Sequence, residues 1–160
     1  MSGWDPTTLP SQAGRTIVVT GAGRGVGYFT AEQLAVAGAR VIITTRGDAT
    51  RALESLRRAA PGADVSAVTL DVASLDSIRA AAPQLAALGP IDVLINNAGK
   101  TSGSKQREVT VDGLEIMVGT NALGPFALSA QLWPALADDA RIISLGSLST
   151  RLAKADLTDL

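Results

Sequence analysis

The sequence predicts an α/β fold, with a doubly wound parallel β-sheet covered by helices on both faces. Short runs rich in Val and Ile recur along the chain without polar alternation, which is typical of strands buried on both faces. Between these runs, apolar residues repeat at helical spacing, so strand and helix alternate along the chain. Because parallel crossovers are right-handed, we expect any ligand to lie over the carboxyl ends of the strands, near the topological switch point.

The predicted strands and helices follow each other in a regular order. Five strands are predicted: RTIVVT (15–20), ARVIITT (39–45), DVSAVTL (64–70), IDVLINN (91–97) and ARIISLGS (140–147). Four helices are predicted: 26–37, 49–59, 75–88 and about 111–136. Gly38, Gly62 and Gly89 lie where the first three helices should end and the chain should turn back.

Length and composition indicate one globular domain. The chain has 160 residues, of which 46% are hydrophobic and 18% charged, and its net charge is −1. We predict a folded domain over 15–160, preceded by an irregular lead-in over 1–14. No apolar run reaches the roughly 20 residues of a membrane span, and no signal-peptide pattern opens the chain, so we expect a cytoplasmic location.

Composition excludes several classes of site. The sequence contains no cysteine and no histidine, which excludes disulfides, thiolate metal sites and Ser-His-Asp catalysis. Its basic residues form no cluster beyond the pair Arg57 and Arg58, which argues against nucleic acid as the main partner, because phosphate backbones are bound by clustered Lys and Arg. We therefore expect neither a metal site nor a nucleic-acid surface.

The segment TGAGRGVG (20–27) is the strongest candidate for a binding loop. It follows the first predicted strand directly and opens the first helix, where backbone N–H groups and the helix dipole favour an anion such as pyrophosphate. Its glycines Gly21, Gly25 and Gly27 do not match G-x-G-x-x-G, and the lack of lysine in the loop excludes a P-loop. The alternative is a tight strand-to-helix turn without a ligand, which four glycines in seven positions make less favoured.

Five motifs together resemble the short-chain dehydrogenase/reductase family, and they occur in the family's order. They are TGAGRGVG (20–27), LDV (70–72), NNAG (96–99), TNALGPFAL (120–128) and RIISLGS (141–147). The segments 110–128 and 147–160 further resemble the retinol-dehydrogenase-like branch. The resemblance implies a Rossmann-type sheet in strand order 3-2-1-4-5, and hydride transfer between a nicotinamide dinucleotide and a carbonyl or alcohol substrate.

The resemblance also implies where the dinucleotide binds. The implied cofactor-binding residues are Gly21, Arg24, Gly25, Val26, Gly27, Arg46, Asp71, Val72, Asn97, Ala98 and Gly99. By resemblance, Asp71 meets the adenine amino group with Val72 beside the ring, and 97–99 lie along the nicotinamide ribose and brace the sheet. From the residues alone, Asp71 could instead cap a helix or close a turn, and NNAG could be a simple turn.

The end of the second predicted strand bears on which dinucleotide is bound. A site that prefers NAD carries an acid there, which accepts hydrogen bonds from the ribose hydroxyls and repels a 2′-phosphate. This strand ends at Arg46, and Arg24 brings a second cation from the glycine loop, so we expect NADP(H) to be favoured over NAD(H). Asp48 is the competing acid, and a solvated surface charge is the alternative for each arginine.

The resemblance implies only part of a catalytic set. It assigns the substrate-orienting serine to Ser147 and the water-relay asparagine to Asn121, against the simpler roles of a capping serine and a helix-bending asparagine. The family's Tyr-x-x-x-Lys pair, whose lysine lowers the tyrosine pKa, does not occur in the 160 residues. Tyr28 belongs to the first helix, and we expect Lys100 and Lys105 to be solvated loop residues.

We therefore interpret the sequence as the N-terminal part of an NADP(H)-dependent short-chain oxidoreductase, ending before the acid/base pair, and we expect negligible redox activity from it alone. Its fifth strand should leave an apolar edge uncovered. The helix near 111–136 resembles one that mediates homo-oligomer contacts in the family. Two alternatives remain open: a catalytically silent dinucleotide-binding sensor or regulatory domain, and an interaction module that binds no cofactor.

Overall fold

The computed structural model describes residues 8–101 and 106–147, and in this part of the chain the predicted α/β fold is confirmed. The strands are β1 (Thr16–Val19), β2 (Arg40–Thr45), β3 (Val65–Thr69), β4 (Ile91–Asn96) and β5 (Leu136–Ser144). The helices are α1 (Gly25–Val36), α2 (Thr50–Ala59), α3 (Leu75–Ala86), the single turn α4 (Ile116–Val118) and α5 (Gly124–Leu132). The strands form a parallel sheet in the order β3-β2-β1-β4-β5, as expected.

Alternate residues of the strands enter two separate cores, one on each face of the sheet. Ile17 and Val19 of β1 pack with residues of α1 and α2, whereas Val18 packs with residues of α3 and α5. All three side chains are at most 1% exposed. Burial on both faces explains why these strands show no polar alternation in the sequence.

The strand register brings the candidate loops to one edge of the sheet. Val19, at the end of β1, is paired with Ile43 of β2 on one side and with Ile95 of β4 on the other. The loops that follow these three strands therefore meet over their carboxyl ends. From β1 the chain continues to β2 and β3 on one side, and it then crosses to β4 and β5 on the other side of β1. The carboxyl edge at β1 is therefore the predicted topological switch point.

The prediction of one continuous helix over 111–136 is wrong, because the helical structure starts later and is interrupted. Gly113 has φ +79° in a turn that Thr110 closes by donating its backbone N–H to Leu114 O at 2.8 Å. A residue with positive φ cannot continue a right-handed helix, so helical structure begins only at Ile116. The segments from there are α4, a π-helical turn (Gly119–Leu123), α5 and a 3-10 turn (Trp133–Ala135).

The outer side of β5 is apolar and uncovered in the described part of the chain. This strand begins at Leu136, four residues earlier than the predicted start at 140. Its Ile143 is 45% exposed, and the side chains of Phe126 on the adjacent α5 and of Trp133 in the 3-10 turn after it are 73% and 70% exposed. These exposed side chains are apolar, as expected at this edge.

The helix ends also agree with the sequence. Gly38, Gly62 and Gly89 follow α1, α2 and α3, each with positive φ, as predicted. The stretch 8–14 contains no helix or strand, and its Gln12 donates the backbone N–H to Ala37 O at the end of α1 at 2.8 Å. None of the helices in the described ranges combines the length and the apolar character needed to cross a membrane.

Candidate functional site

The glycine loop turns sharply from β1 into α1. Gly21 has φ +67° and Gly25 has φ +60°, conformations that other residues rarely adopt. A Cβ on Gly21 would lie 2.8 Å from Ala98 Cα, so the loop also approaches the chain after β4 too closely for any side chain. The helix begins at Gly25 without a side-chain cap from Arg24, and uncapped N–H groups at a helix start are suited to binding an anion.

Thr20 joins the glycine loop to the NNAG segment, and the sequence had not singled it out. This buried threonine is 1% exposed, and its hydroxyl accepts the backbone N–H groups of Asn97 at 3.0 Å and Ala98 at 2.9 Å. In return, the Asn97 side-chain amide donates to Thr20 O at 2.7 Å. These bonds brace two loops across the switch point. The signal in the sequence was a threonine directly before the glycine-rich turn.

The chain after β2 runs beside the glycine loop. Ala22 donates its N–H to Thr44 O at 3.0 Å, and a Cβ on Gly23 would lie 3.0 Å from Thr45 Cγ2. The residues that follow this contact on the two segments are Arg24 and Arg46. Both are exposed, and neither forms an ion pair with another residue in the ranges that the structure describes.

Asp48, the acid that could compete with the two arginines for the ribose, is hydrogen-bonded to Thr50. Asp48 Oδ1 accepts the backbone N–H of Thr50 at 3.0 Å and the Thr50 hydroxyl at 2.6 Å, at the start of α2. The hydrogen bond from the Thr50 hydroxyl, and then the one from its backbone, hold the pKa of Asp48 below its usual value. The carboxylate is therefore ionised and directed to the helix start.

Asp71 closes a turn after β3. Its Oδ1 accepts the Ala73 N–H at 2.9 Å, and its own N–H donates to Ser77 Oγ at 2.8 Å. The cap of α3 is Ser74, whose hydroxyl accepts the Ser77 N–H at 3.2 Å, so of the two simpler roles considered for Asp71 the structure shows the turn. Its adjacent residue Val72 is buried.

Asn121 lies in the π-helical turn and binds the chain just after NNAG. Its Oδ1 accepts the Lys100 N–H at 2.8 Å, and its Nδ2 donates to Lys100 O at 2.9 Å. A Cβ on Gly99 would lie 2.8 Å from Asn121 Oδ1, so any side chain at this position would displace the Asn121 amide. The Lys100 side chain forms an ion pair with Glu108, although we expect a solvated lysine from the sequence alone.

Ser147 follows β5 at the same edge of the sheet and is exposed. β5 ends at Ser144, which is paired with Asn96 at the end of β4, and Leu145 donates its N–H to Asn96 O at 3.0 Å. The chain thus leaves the sheet beside β4. Lys105 and the segment 148–160 lie outside the described residues.

Tyr28 does not belong to this edge. It is partly buried and packs against the core between the sheet and helices α1 and α2, on the face opposite to α5. Burial first, and then a hydrogen bond with Glu32, raise its pKa, which is the opposite of what an acid/base tyrosine needs. The expectation that Tyr28 cannot serve as the acid/base residue is consistent with this placement.

An open cleft of about 770 Å³ lies between α5 and β5. Phe126 of α5, Trp133 of the 3-10 turn after it and Ile142 of β5 form its apolar walls, and Asn121 lies at its polar end. The buried Asn96 side chain also lines it and donates to Ser129 Oγ at 3.2 Å. The cleft therefore adjoins the candidate catalytic asparagine.

Comparisons with known proteins agree with this geometry. The family model for short chain dehydrogenase matches residues 15–158. Polyprenol dehydrogenase of Mus musculus is 39% identical over 165 residues, covering 97% of this chain and 48% of the relative, and retinol dehydrogenase 13 of Homo sapiens is 38% identical, covering 94% and 47%. A Pseudomonas aeruginosa RhlG/NADP complex superposes with a TM-score of 0.75 at 34% identity, covering 91% of this chain and 59% of that chain. The chain thus spans about half the length of the curated relatives it matches, and the matched part is their N-terminal part.

Proposed function

The chain belongs to the short-chain dehydrogenase family, and from this premise we propose that it binds NADP(H) as the cofactor-binding part of an oxidoreductase. The reaction would move a hydride between the nicotinamide and a carbonyl or alcohol substrate. The observation that carries the preference for NADP(H) is the pair Arg24 and Arg46, two exposed cations on adjacent segments beyond β1 and β2.

The charges around this position favour a 2′-phosphate. Each arginine can offer a planar, charge-assisted pair of hydrogen bonds to phosphate oxygens. Asp48, the acid that could have bound the ribose hydroxyls, is hydrogen-bonded to Thr50 at the start of α2. The NADP complex among the similar structures supports the same preference, although it concerns that protein.

The remaining contacts are proposed along the same edge of the sheet. The uncapped start of α1, with Gly21, Gly25, Val26 and Gly27, would hold the pyrophosphate. Asp71 and Val72 would lie at the adenine. The segment 97–99, braced by Thr20, would lie along the nicotinamide ribose.

Asn121 and Ser147 are proposed at the substrate end of the site. The bound dinucleotide would supply the hydride chemistry, and these side chains would orient the substrate oxygen and support a proton-relay water. The 160 residues contain no Tyr-x-x-x-Lys pair, so we expect dinucleotide binding without turnover from this sequence alone. A cytoplasmic location and a homo-oligomeric state also stay predictions.

Calorimetric titration with NADPH and with NADH tests the proposal. We expect NADPH to bind more tightly, and R24A and R46A each to weaken NADPH binding about tenfold, because each removes charge-assisted hydrogen bonds. NADH binding should change little in both variants. The matched control is R79A, because Arg79 lies on α3 and pairs with Asp76. Equal affinity for the two dinucleotides in the unmodified chain would contradict the proposed preference.

A further inference from the structure

Lys100 and Glu108 form an ion pair across the two ends of the segment 101–107. Their side chains are only 34% and 40% exposed. The backbone of the same lysine makes both hydrogen bonds to the Asn121 amide, at 2.8 Å and 2.9 Å. One residue therefore connects Glu108 to the candidate catalytic asparagine.

Glu108 is joined in turn to the helical segment that carries Asn121. Its carbonyl oxygen accepts the N–H of Ile116, the first residue of α4, at 3.0 Å. The next residue, Val109, forms an antiparallel bridge with Glu115, which caps α4. These contacts form a closed set. Lys100 pairs with Glu108, Glu108 binds the start of α4, and the π-helical turn after α4 carries Asn121, which binds the backbone of Lys100.

The orientation of the Asn121 amide depends on this closed set of contacts. Asn121 is exposed, so little packing holds its side chain, and it lies in a π-helical turn, an irregularity frequent at functional sites. Its two hydrogen bonds to residue 100 hold the amide in place, and they persist only while that stretch of backbone stays at a fixed distance from the turn. Neither Lys100 nor Glu108 belongs to the five family motifs.

We propose that Lys100 and Glu108 are positioning residues, whose ion pair holds the backbone of residue 100 where it binds the Asn121 amide. The inference rests on the proposed function only for the catalytic role of Asn121. The contact itself is a property of the chain and can be measured without a dinucleotide.

The side-chain amide of Asn121 reports on this contact in NMR spectra of the ¹⁵N-labelled chain. We expect its Nδ2 protons to be shifted downfield and protected from solvent exchange by the bond to Lys100 O. K100M and E108Q should each lower this protection about threefold, the change expected when a half-exposed ion pair is lost. K100R should retain the protection, and the charge-exchanged K100E/E108K should restore most of it.

The control is R79M, which removes an exposed ion pair on α3 and should leave the Asn121 signal unchanged. Unchanged protection in the two single variants would overturn the proposal, as would an equal loss in R79M or a charge-exchanged protein no better protected than the singles. If K100M does not fold, the nearly isosteric E108Q decides the question. Because no dinucleotide is present, a failure to bind NADPH would refute the proposed function and not this contact.

Discussion

The hydroxyl of Thr20 accepts the backbone N–H of Asn97 at 3.0 Å, and the Asn97 side-chain amide donates to the Thr20 carbonyl oxygen at 2.7 Å. The two residues are 77 positions apart in the sequence and follow β1 and β4. Their reciprocal bonds hold the glycine loop and the NNAG segment together at the switch point. Hydrogen bonds between the loops after β1 and β4 therefore hold the geometry of the candidate cofactor site.

Removing the Thr20 hydroxyl should destabilise the protein and weaken dinucleotide binding. T20V keeps the shape of the side chain but removes the acceptor of the Ala98 N–H and one of the two acceptors of the Asn97 N–H, the other being Ile95 O. We expect this to cost about 1–3 kcal/mol in free energy of unfolding. Urea unfolding measures the loss. The control is T69V, a change at an exposed position of β3 that should stay within about 0.5 kcal/mol. Equal stability of the two variants would show that the bonds to Thr20 contribute nothing.

A methyl group at Gly124 should displace α5 from the chain that follows β3. A Cβ at this position would overlap the carbonyl oxygen of Val72, and backbone cannot move aside as a flexible side chain can. We expect G124A to lower the free energy of unfolding by about 1–3 kcal/mol or more, as overpacking does. In contrast, G146A meets no atom within 4 Å and should unfold at nearly the same temperature as the unmodified chain. A neutral G124A would contradict the close approach.

Arg40 should stabilise the opposite end of the sheet. Its guanidinium donates to the carbonyl oxygen of Leu88 beyond the end of α3, and its Nε lies 3.1 Å from Asp64 Oδ2, close enough for an ion pair but not aligned for a hydrogen bond. R40A should cost about 1–2 kcal/mol in free energy of unfolding, because a charged donor is lost from a partly buried carbonyl. R79A removes a more exposed pair and should cost less than about 0.5 kcal/mol. Similar losses in both would count against a special role of Arg40.

Stability should fall at acidic pH partly through Glu115. Hydrogen bonds from the backbone N–H of Met117, and then of Val118, hold the pKa of this carboxyl below its ordinary value of 4.5. Because the pKa is lower in the folded state, the contribution is complete above pH 4.5 and is lost as the pH falls through the folded-state pKa.

The variant E115Q isolates this contribution. Glutamine cannot ionise, so the difference in free energy of unfolding between E115Q and the unmodified chain should be largest near neutral pH and should shrink as the pH falls. Denaturant unfolding at a series of pH values measures it. E54Q, at an exposed position of α2, controls for the loss of one negative charge. A difference that stays constant with pH would rule out the titration of Glu115 as its origin.

The parts of the fold that the sequence predicted well are those determined by local patterns. The unalternating runs of Val and Ile located all five strands within a few residues, because a strand covered on both faces must be apolar throughout. The same kind of pattern failed over 111–136, where apolar periodicity continued through Gly113 and the π-helical turn. Periodicity shows which residues face a core, but it does not show where backbone hydrogen bonds are interrupted.

By itself, the sequence determined the fold class, the glycine-rich turn and the membership in the family, since these depend on residue types at neighbouring positions. Only the tertiary structure showed that Thr20 holds Asn97 and that Lys100 links Glu108 to Asn121. These contacts join residues whose partners are chosen by strand order and loop geometry. A hydrogen bond depends on distances of a few tenths of an ångström between distant parts of the chain, and no local pattern carries that information.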